Sequence, residues 1–318
     1  MVEDMLAEAG IPGAQVTGVT PLDGGTFNAV SRVTLADGRR LILKVPPLPG
    51  VPVLTYERGI LRTEALFYDL AAPHCQLPAV IHAGFGHHND VGDFLLMTEL
   101  PGQPWPAVAD RLGDGQRQRL RGELGRIVAG LHTTTGSEFG YPAQPLAASW
   151  RIAFGGMLDT ILTEADHYRV TLPLPTGVIR QRAARHASVL DEVTTPMLVH
   201  FDLWDGNILI DLDGATPRIG GLIDAERAFW GDPLADFVSL ALLGDIQQDE
   251  AFLTSYREAD GPVRLDGSSP IRLALYRTYL YLIMLVEAAP RGYGGPRRER
   301  LERRVACALA AELDLLRT

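Results

Sequence analysis

The sequence predicts an α+β chain in two lobes: a small N-terminal lobe built on an antiparallel β-sheet with one helix, and a larger, mostly helical C-terminal lobe. Three observations predict it. Short runs rich in Val, Thr, Leu and Ile, punctuated by Gly and Asp-Gly, fill the first hundred residues. Beyond them apolar residues recur at helical spacing. A Pro-Gly-Gln-Pro break over 101–104 divides the two patterns, so the lobes are expected at 1–100 and 101–318.

Residues 14–20, 27–35 and 40–45 read as strands, and Asp37-Gly38 between the second and third is a hairpin signal. A helix is expected over 55–71, with Ile60, Leu61, Ala65, Leu66 and Leu70 as its apolar stripe. Residues 79–82 and 94–100 read as two further strands. In the second lobe Leu120, Leu124, Ile127, Val128 and Leu131 mark the buried side of a helix ending near His132. Further helices are expected over 149–165, 176–192, 232–243, 249–258, 270–288 and 297–316.

At 318 residues the chain is long enough for two cores, and its 46% apolar and 21% charged fractions are those of an ordinary globular protein. A net charge of −10 argues against a nucleic-acid surface, which needs a basic stripe, and suits a cationic small partner. Cys75 and Cys307 are too few for a disulfide framework and too far apart for a zinc motif, so they read as reduced thiols. No basic-then-apolar run of a signal peptide opens the chain. The longest apolar run, 280–286, falls far short of the ~20 residues that a membrane span needs. A cytoplasmic protein with neither a membrane nor a nucleic-acid partner is expected.

The chemistry concentrates in 198–236, LVHFDLWDGNILIDLDGATPRIGGLIDAERAFWGDPLAD. An apolar run enters His200-Phe201-Asp202, turns to Asn207, leaves as a strand, and returns as a second strand ending at Asp224. Phosphoryl transfer needs these residue types, because the transferred group is dense in negative charge and catalysis is mostly positioning and electrostatics. Asp202 is the candidate for orienting and deprotonating an attacking hydroxyl. Mg²⁺ takes hard oxygen ligands, one or two of them from protein, and the Asn207 amide and Asp224 carboxylate meet that need. An aspartate before an apolar strand is by itself more often a turn or cap residue, so the argument rests on the three together.

His200-Phe201-Asp202, Asn207 and Asp224, with the Asp-Leu-Trp-x-Gly-Asn core, resemble the catalytic and metal loops of the aminoglycoside phosphotransferase family and its choline-kinase-like and fructosamine-kinase relatives. The order of elements is that of the protein-kinase-like fold. The resemblance implies Asp202 as catalytic base, Asn207 and Asp224 as Mg²⁺ ligands, and Asp236 as a brace of the catalytic loop. His200 is given a structural part. Two departures stand out: Phe201 occupies a position that is usually glycine, and Ala225-Glu226 follows Asp224 where protein kinases carry Phe-Gly. Trp204 and Trp230 read as loop-packing aromatics, and Asp211 and Asp213 as solvated turn acids.

In such a fold Lys44, otherwise odd in an apolar strand, would meet the α- and β-phosphates of ATP (or GTP) and pair with a helix carboxylate. Glu64 is preferred and Glu57 is the competitor. Gly24, Gly25 and Thr26 lie where a phosphate-covering loop belongs, since glycines let backbone N–H groups approach phosphate closely. Thr98 and Leu100 would offer backbone groups to the nucleobase, with Met97 behind the ring. No Walker pattern occurs.

The acceptor implied is a hydroxyl-bearing small molecule: an antibiotic of aminoglycoside, nucleoside or peptide type, or alternatively a metabolite such as a fructosamine, choline or homoserine. It is expected between Asp202 and the helices of 149–192, with the C-terminal helices as one wall and Asp159, Glu164, Asp166 and Glu287 as possible amine partners. Asp232 follows within eight residues of Asp224, too few for a peptide-docking segment, which disfavours a protein kinase. The intact Lys44, Asp202, Asn207 and Asp224 set disfavours a pseudokinase scaffold. A metallohydrolase on His200 and Asp202 lacks further ligands at motif spacing.

Overall fold

Alternation along two strands decides the first lobe. In β2 (Ala29–Leu35) and β3 (Arg40–Val45), Val33, Leu35, Leu41 and Leu43 are buried on one face, which leaves Ile42 and Lys44 on the other. The two strands are joined at Asp37-Gly38, where Gly38 takes φ +86°. With β1 (Val16–Pro21), β4 (Val80–Gly84) and β5 (Phe94–Thr98) they form an antiparallel sheet in the order β1-β2-β3-β5-β4. This computed structural model describes residues 1–22, 27–86, 92–292 and 294–317, so the expected contribution of Gly24, Gly25 and Thr26 lies outside the described residues.

A short helix not anticipated from the sequence, α1 (Val2–Glu8), lays Met5 and Leu6 on the Leu41/Leu43 face. The opposite face receives α2 (Ile60–Ala71), and Leu95 and Met97 of β5 join it in the main core. The helix expected over 55–71 is divided. Thr55–Glu57 is a 3-10 turn, and Gly59 at φ +72° resets the chain before α2 begins. Its buried side is Ile60, Leu61, Glu64, Phe67, Tyr68 and Ala71, whereas Leu66 is 36% exposed. The stripe is thus rotated from the one drawn on apolar residues alone, because Glu64 must face Lys44.

At Gly102, φ +99°, the chain crosses to a second small sheet: β6 (Gln103–Pro104) pairs with β8 (Ile208–Asp211), which pairs with β9 (Arg218–Leu222). Between lie α3 (Trp105–Val108), α4 (Asp114–Leu131), α5 (Trp150–His167), α6 (Thr176–Arg185) and β7 (Met197–Val199). The helix expected over 176–192 ends at Arg185 and continues as a 3-10 stretch, Ala187–Glu192. After β9 come β10 (Phe229–Gly231), paired with β7, then α7 (Asp236–Leu240), α8 (Glu250–Glu258), α9 (Ser269–Val286), α10 (Ala288–Arg291) and α11 (Pro296–Leu315). Helix α9 is buried nearly throughout and carries α11 on Val305, Leu309 and Leu313. Among the described residues no helix is long and apolar enough to cross a membrane.

Candidate active site

The loop after β7 is held from behind by one carboxylate. Asp236, fully buried at the start of α7, accepts the backbone N–H of His200 (3.1 Å) and of Phe201 (2.7 Å). Its Oδ2 also meets His132 Nε2 at 3.0 Å, and His132 Nδ1 meets the Tyr256 hydroxyl at 2.8 Å. A buried carboxylate needs such donors to remain favourable. Phe201 sits at φ +60°, the left-handed region that glycine enters without strain. Its ring is fully buried against Phe229 (5.0 Å) and Tyr279 (5.7 Å).

His200 is also fully buried, and burial lowers its pKa, so the ring is neutral. Nδ1 accepts the Asp202 N–H at 3.3 Å and Nε2 donates to the Ile223 carbonyl at 3.2 Å. The imidazole therefore ties the Asp202 loop to the residue before Asp224. Asn207 closes the turn, its amide nitrogen donating to the Asp202 carbonyl (2.8 Å) and to Asp202 Oδ2 (3.1 Å). Burial pushes the Asp202 carboxyl up to about 6, with Arg227 opposing the shift and Asp224 adding to it.

Across the cleft, Lys44 Nζ meets Glu64 Oε1 at 2.7 Å and Asp224 Oδ1 at 2.6 Å. Burial works against the ammonium charge, but Asp224 and Glu64 together hold its pKa well above the ordinary lysine value. The Tyr68 hydroxyl donates to Glu64 Oε1 (2.6 Å) and accepts the Asp224 N–H (3.0 Å). Asp224 itself takes φ +65°. Glu57 goes elsewhere, accepting the Leu54 N–H at 2.7 Å and pairing with Arg291.

Asp202, Asn207, Asp224 and Lys44 all line one cavity of about 400 Å³ between the lobes. Sequence reasoning missed other residues there. Glu226 accepts from Asn28 Nδ2 at 2.6 Å, and burial together with Asp224 pushes its pKa well up. Arg227 reaches Asp202 Oδ1 (3.4 Å) and Glu287 Oε2 (2.8 Å). Neither carried a periodic signal; only proximity to Asp224 in the chain could have marked them.

The expected hinge residues do not line this cavity. Met97 is buried, paired across the sheet with Ile42 and Val80. The Thr98 N–H is given to the Ala79 carbonyl (2.9 Å). Trp230 packs in the core, whereas Trp204 is 41% exposed at the cavity wall. Asp211 is ion-paired with Arg218 at 2.6 Å rather than free in solvent. No residue of 149–192 lines the cavity; of those helices α5 borders a separate one near Tyr141 and Tyr279. Of the acids considered as amine partners, Asp159 pairs with Arg180, Asp166 accepts from Thr176, and Glu164 accepts the Thr55 N–H; only Glu287 faces the cavity.

The donor set fits a hard divalent cation. Glu64, Asp224 and Glu226 each offer an oxygen within 4.8 Å of the others, and Glu64 Oε2 is buried without a partner among the described residues. With its nitrogen used on Asp202, Asn207 has its amide oxygen left to offer.

Residues 18–273 match the phosphotransferase enzyme family, APH. A protein of Lactiplantibacillus plantarum assigned as a ketoamine kinase is 24% identical over 265 residues, covering 80% of this chain and 85% of that protein. A crystal structure assigned as a fructosamine-3-kinase of Thermobifida fusca superposes at TM-score 0.66 with 20% identity, over 98% of this chain and all of the other. The aminoglycoside phosphotransferase APH(2'')-IIa, in its ternary complex with streptomycin and ATP, superposes at TM-score 0.63 with 16% identity, over 99% and 97% of the two chains. With the protein-kinase-like architecture and the family match over most of its length, this chain belongs to the phosphotransferase enzyme family and is a small-molecule kinase acting on a hydroxyl.

Proposed function

We propose that this protein moves the γ-phosphoryl group of ATP (or GTP) to a hydroxyl of a small molecule, with Mg²⁺. The observation that carries the reading is the convergence of the Lys44–Glu64 pair, Asp224, Asn207 and Asp202 on one cavity. Residues 1–100 serve the nucleotide and 101–318 supply the catalytic loop and the acceptor wall. Lys44 binds the α- and β-phosphates and is aimed by Glu64. Asn207 and Asp224 would hold Mg²⁺, which when bound neutralises charge on the phosphate oxygens. Asp202, positioned by Asn207 and by the His200 clip, orients the acceptor hydroxyl and takes its proton. The hinge contact falls to backbone groups of Thr98 and Leu100, with Met97 behind the ring.

For the acceptor, an antibiotic is supported by the streptomycin–ATP complex of a protein with the same fold. A metabolite of ketoamine type is the second reading, supported by the relative that matches most of the chain. The test is ADP release in a coupled assay against aminoglycosides, nucleoside and peptide antibiotics, amino alcohols and ketosamines, for wild type and Asp202→Ala. Turnover in the wild type alone supports the assignment; equal phosphate release from both would overturn it.

A further inference from the structure

One wall of the cavity is rich in arginine, although the chain as a whole carries a net charge of −10. Arg227, Arg291, Arg297 and Arg298 line it together with Glu287, and Asp202, Asp224 and Glu226 are the other carboxylates that line the cavity among the described residues. Glu287 is shared: Arg227 lies at 2.8 Å, Arg291 at 3.3 Å and Arg298 at 3.8 Å. Arg227 also meets Asp202, Arg291 meets Glu57 and Arg298 meets Glu302; a guanidinium carries five N–H donors and a carboxylate about four acceptor sites, so these carboxylates still leave donors over. Two observations show the surplus. Arg227, with a side chain only 12% exposed, has a buried Nε with no partner among the described residues. Arg297, on the first turn of α11, is exposed and makes no ion pair among the described residues. Arg298 is anchored by Glu302 at 2.9 Å and by the Met284 carbonyl, which aims its fork. Leu280, Met284 and Leu301 provide an apolar strip along the same wall.

We propose that the acceptor is an alcohol bearing an anionic group, a carboxylate or a phosphate ester, with its hydroxyl at Asp202 and its anion held by Arg297 and Arg298, Arg227 lying between. This deepens the phosphotransfer reading and rests on it. A polycationic acceptor meets the wrong sign of charge here: its ammonium groups would be set against guanidiniums, with one carboxylate already shared by three of them. An anion meets planar donors suited to bidentate binding. Lys44 and Val30 come from the N-terminal sheet, whereas Arg291, Arg297 and Arg298 come from α10 and α11 and Arg227 from the turn after Asp224.

The experiment is calorimetric titration of the full chain, loaded with Mg²⁺ and a saturating non-hydrolysable ATP analogue, AMP-PNP. The probes are tartrate, glycerol 3-phosphate and, as the cationic match, 1,3-diamino-2-propanol. Tartrate or glycerol 3-phosphate should bind the loaded protein, and which of the two binds better separates a carboxylate from a phosphate site. Arg298→Gln and the charge reversal Arg297→Glu should each weaken that binding roughly tenfold or more while the AMP-PNP affinity stays put. Arg297 is exposed, so its variant tests the idea even if Arg298→Gln loosens the fold. Preference for the diamine, no binding of either acid to the loaded protein, or displacement of AMP-PNP by the acids would each overturn the proposal and leave phosphotransfer standing. Failure of AMP-PNP itself to bind would sink the phosphotransfer reading and this one with it.

Discussion

The Asp236 carboxylate holds Phe201 in a left-handed turn, its Oδ1 accepting the Phe201 N–H at 2.7 Å where φ is +60°. A side chain in that region costs about 1–2 kcal/mol, and a phenylalanine there is unusual. The fully buried ring, packed on Phe229 and Tyr279, offsets the strain.

Phe201→Gly should therefore destabilise the protein even though it relieves the backbone. Emptying a buried phenylalanine site costs roughly 3–5 kcal/mol against about 1–2 kcal/mol of strain released, for a net loss of about 1–4 kcal/mol. Thermal denaturation should show a lower midpoint than wild type. A midpoint that rises would mean the ring contributes less than the turn costs.

Glu64→Gln keeps the shape of the Lys44 partner and removes its charge. Lys44 is then left with Asp224 as its only anionic partner among the described residues. The KM for ATP should rise severalfold while the KM for the acceptor holds, and a double-mutant cycle with Lys44→Met should show coupling of about 1 kcal/mol or more. Independent, additive effects would contradict the pairing.

The pH profile follows from Asp202. Burial raises its pKa to about 6 from an ordinary 3.8, so the proton stays on to higher pH and the base form is lost as pH falls below about 6. The rate should drop about tenfold per pH unit on that acid limb. Arg227 favours the ionised form, so Arg227→Met should move the limb to higher pH. A limb that moves to lower pH would reverse the electrostatic assignment.

The two thiols should differ sharply in reactivity. Burial pushes Cys75 up to about 12, while Cys307 is exposed on α11. At pH 8 the thiolate fraction of Cys75 is on the order of 10⁻⁴, so a disulfide reagent should titrate one thiol fast and one slowly. Cys307→Ser should remove the fast phase; two fast phases in wild type would contradict the burial of Cys75.

Strand β3 runs over the residues its pattern predicts, and the Asp37-Gly38 turn joins the strands it was expected to join. The spacing of Asp202, Asn207 and Asp224 marked a site because a tight turn and a hairpin are short-range structures, written in the residues that form them. The choice between Glu64 and Glu57 was not written locally, since both precede or occupy one helical stretch. Gly59 divides that stretch and turns one glutamate to Lys44 and the other to Arg291. The net charge pointed to a cationic partner, while the cavity wall is lined by arginines.

What the sequence determined by itself was the succession of a strand-rich and a helical part, the turn chemistry and the oxygen-bearing residues of the 202–224 stretch, because periodicity and hydrogen bonding within a few residues encode them. Only the tertiary structure decided the rest: the 180-residue span from Lys44 to Asp224, the 60-residue span from Arg227 to Glu287, and the burial that pushes Asp202 up. Those depend on which surfaces pack together, and packing brings distant side chains within reach without leaving a local pattern in the chain.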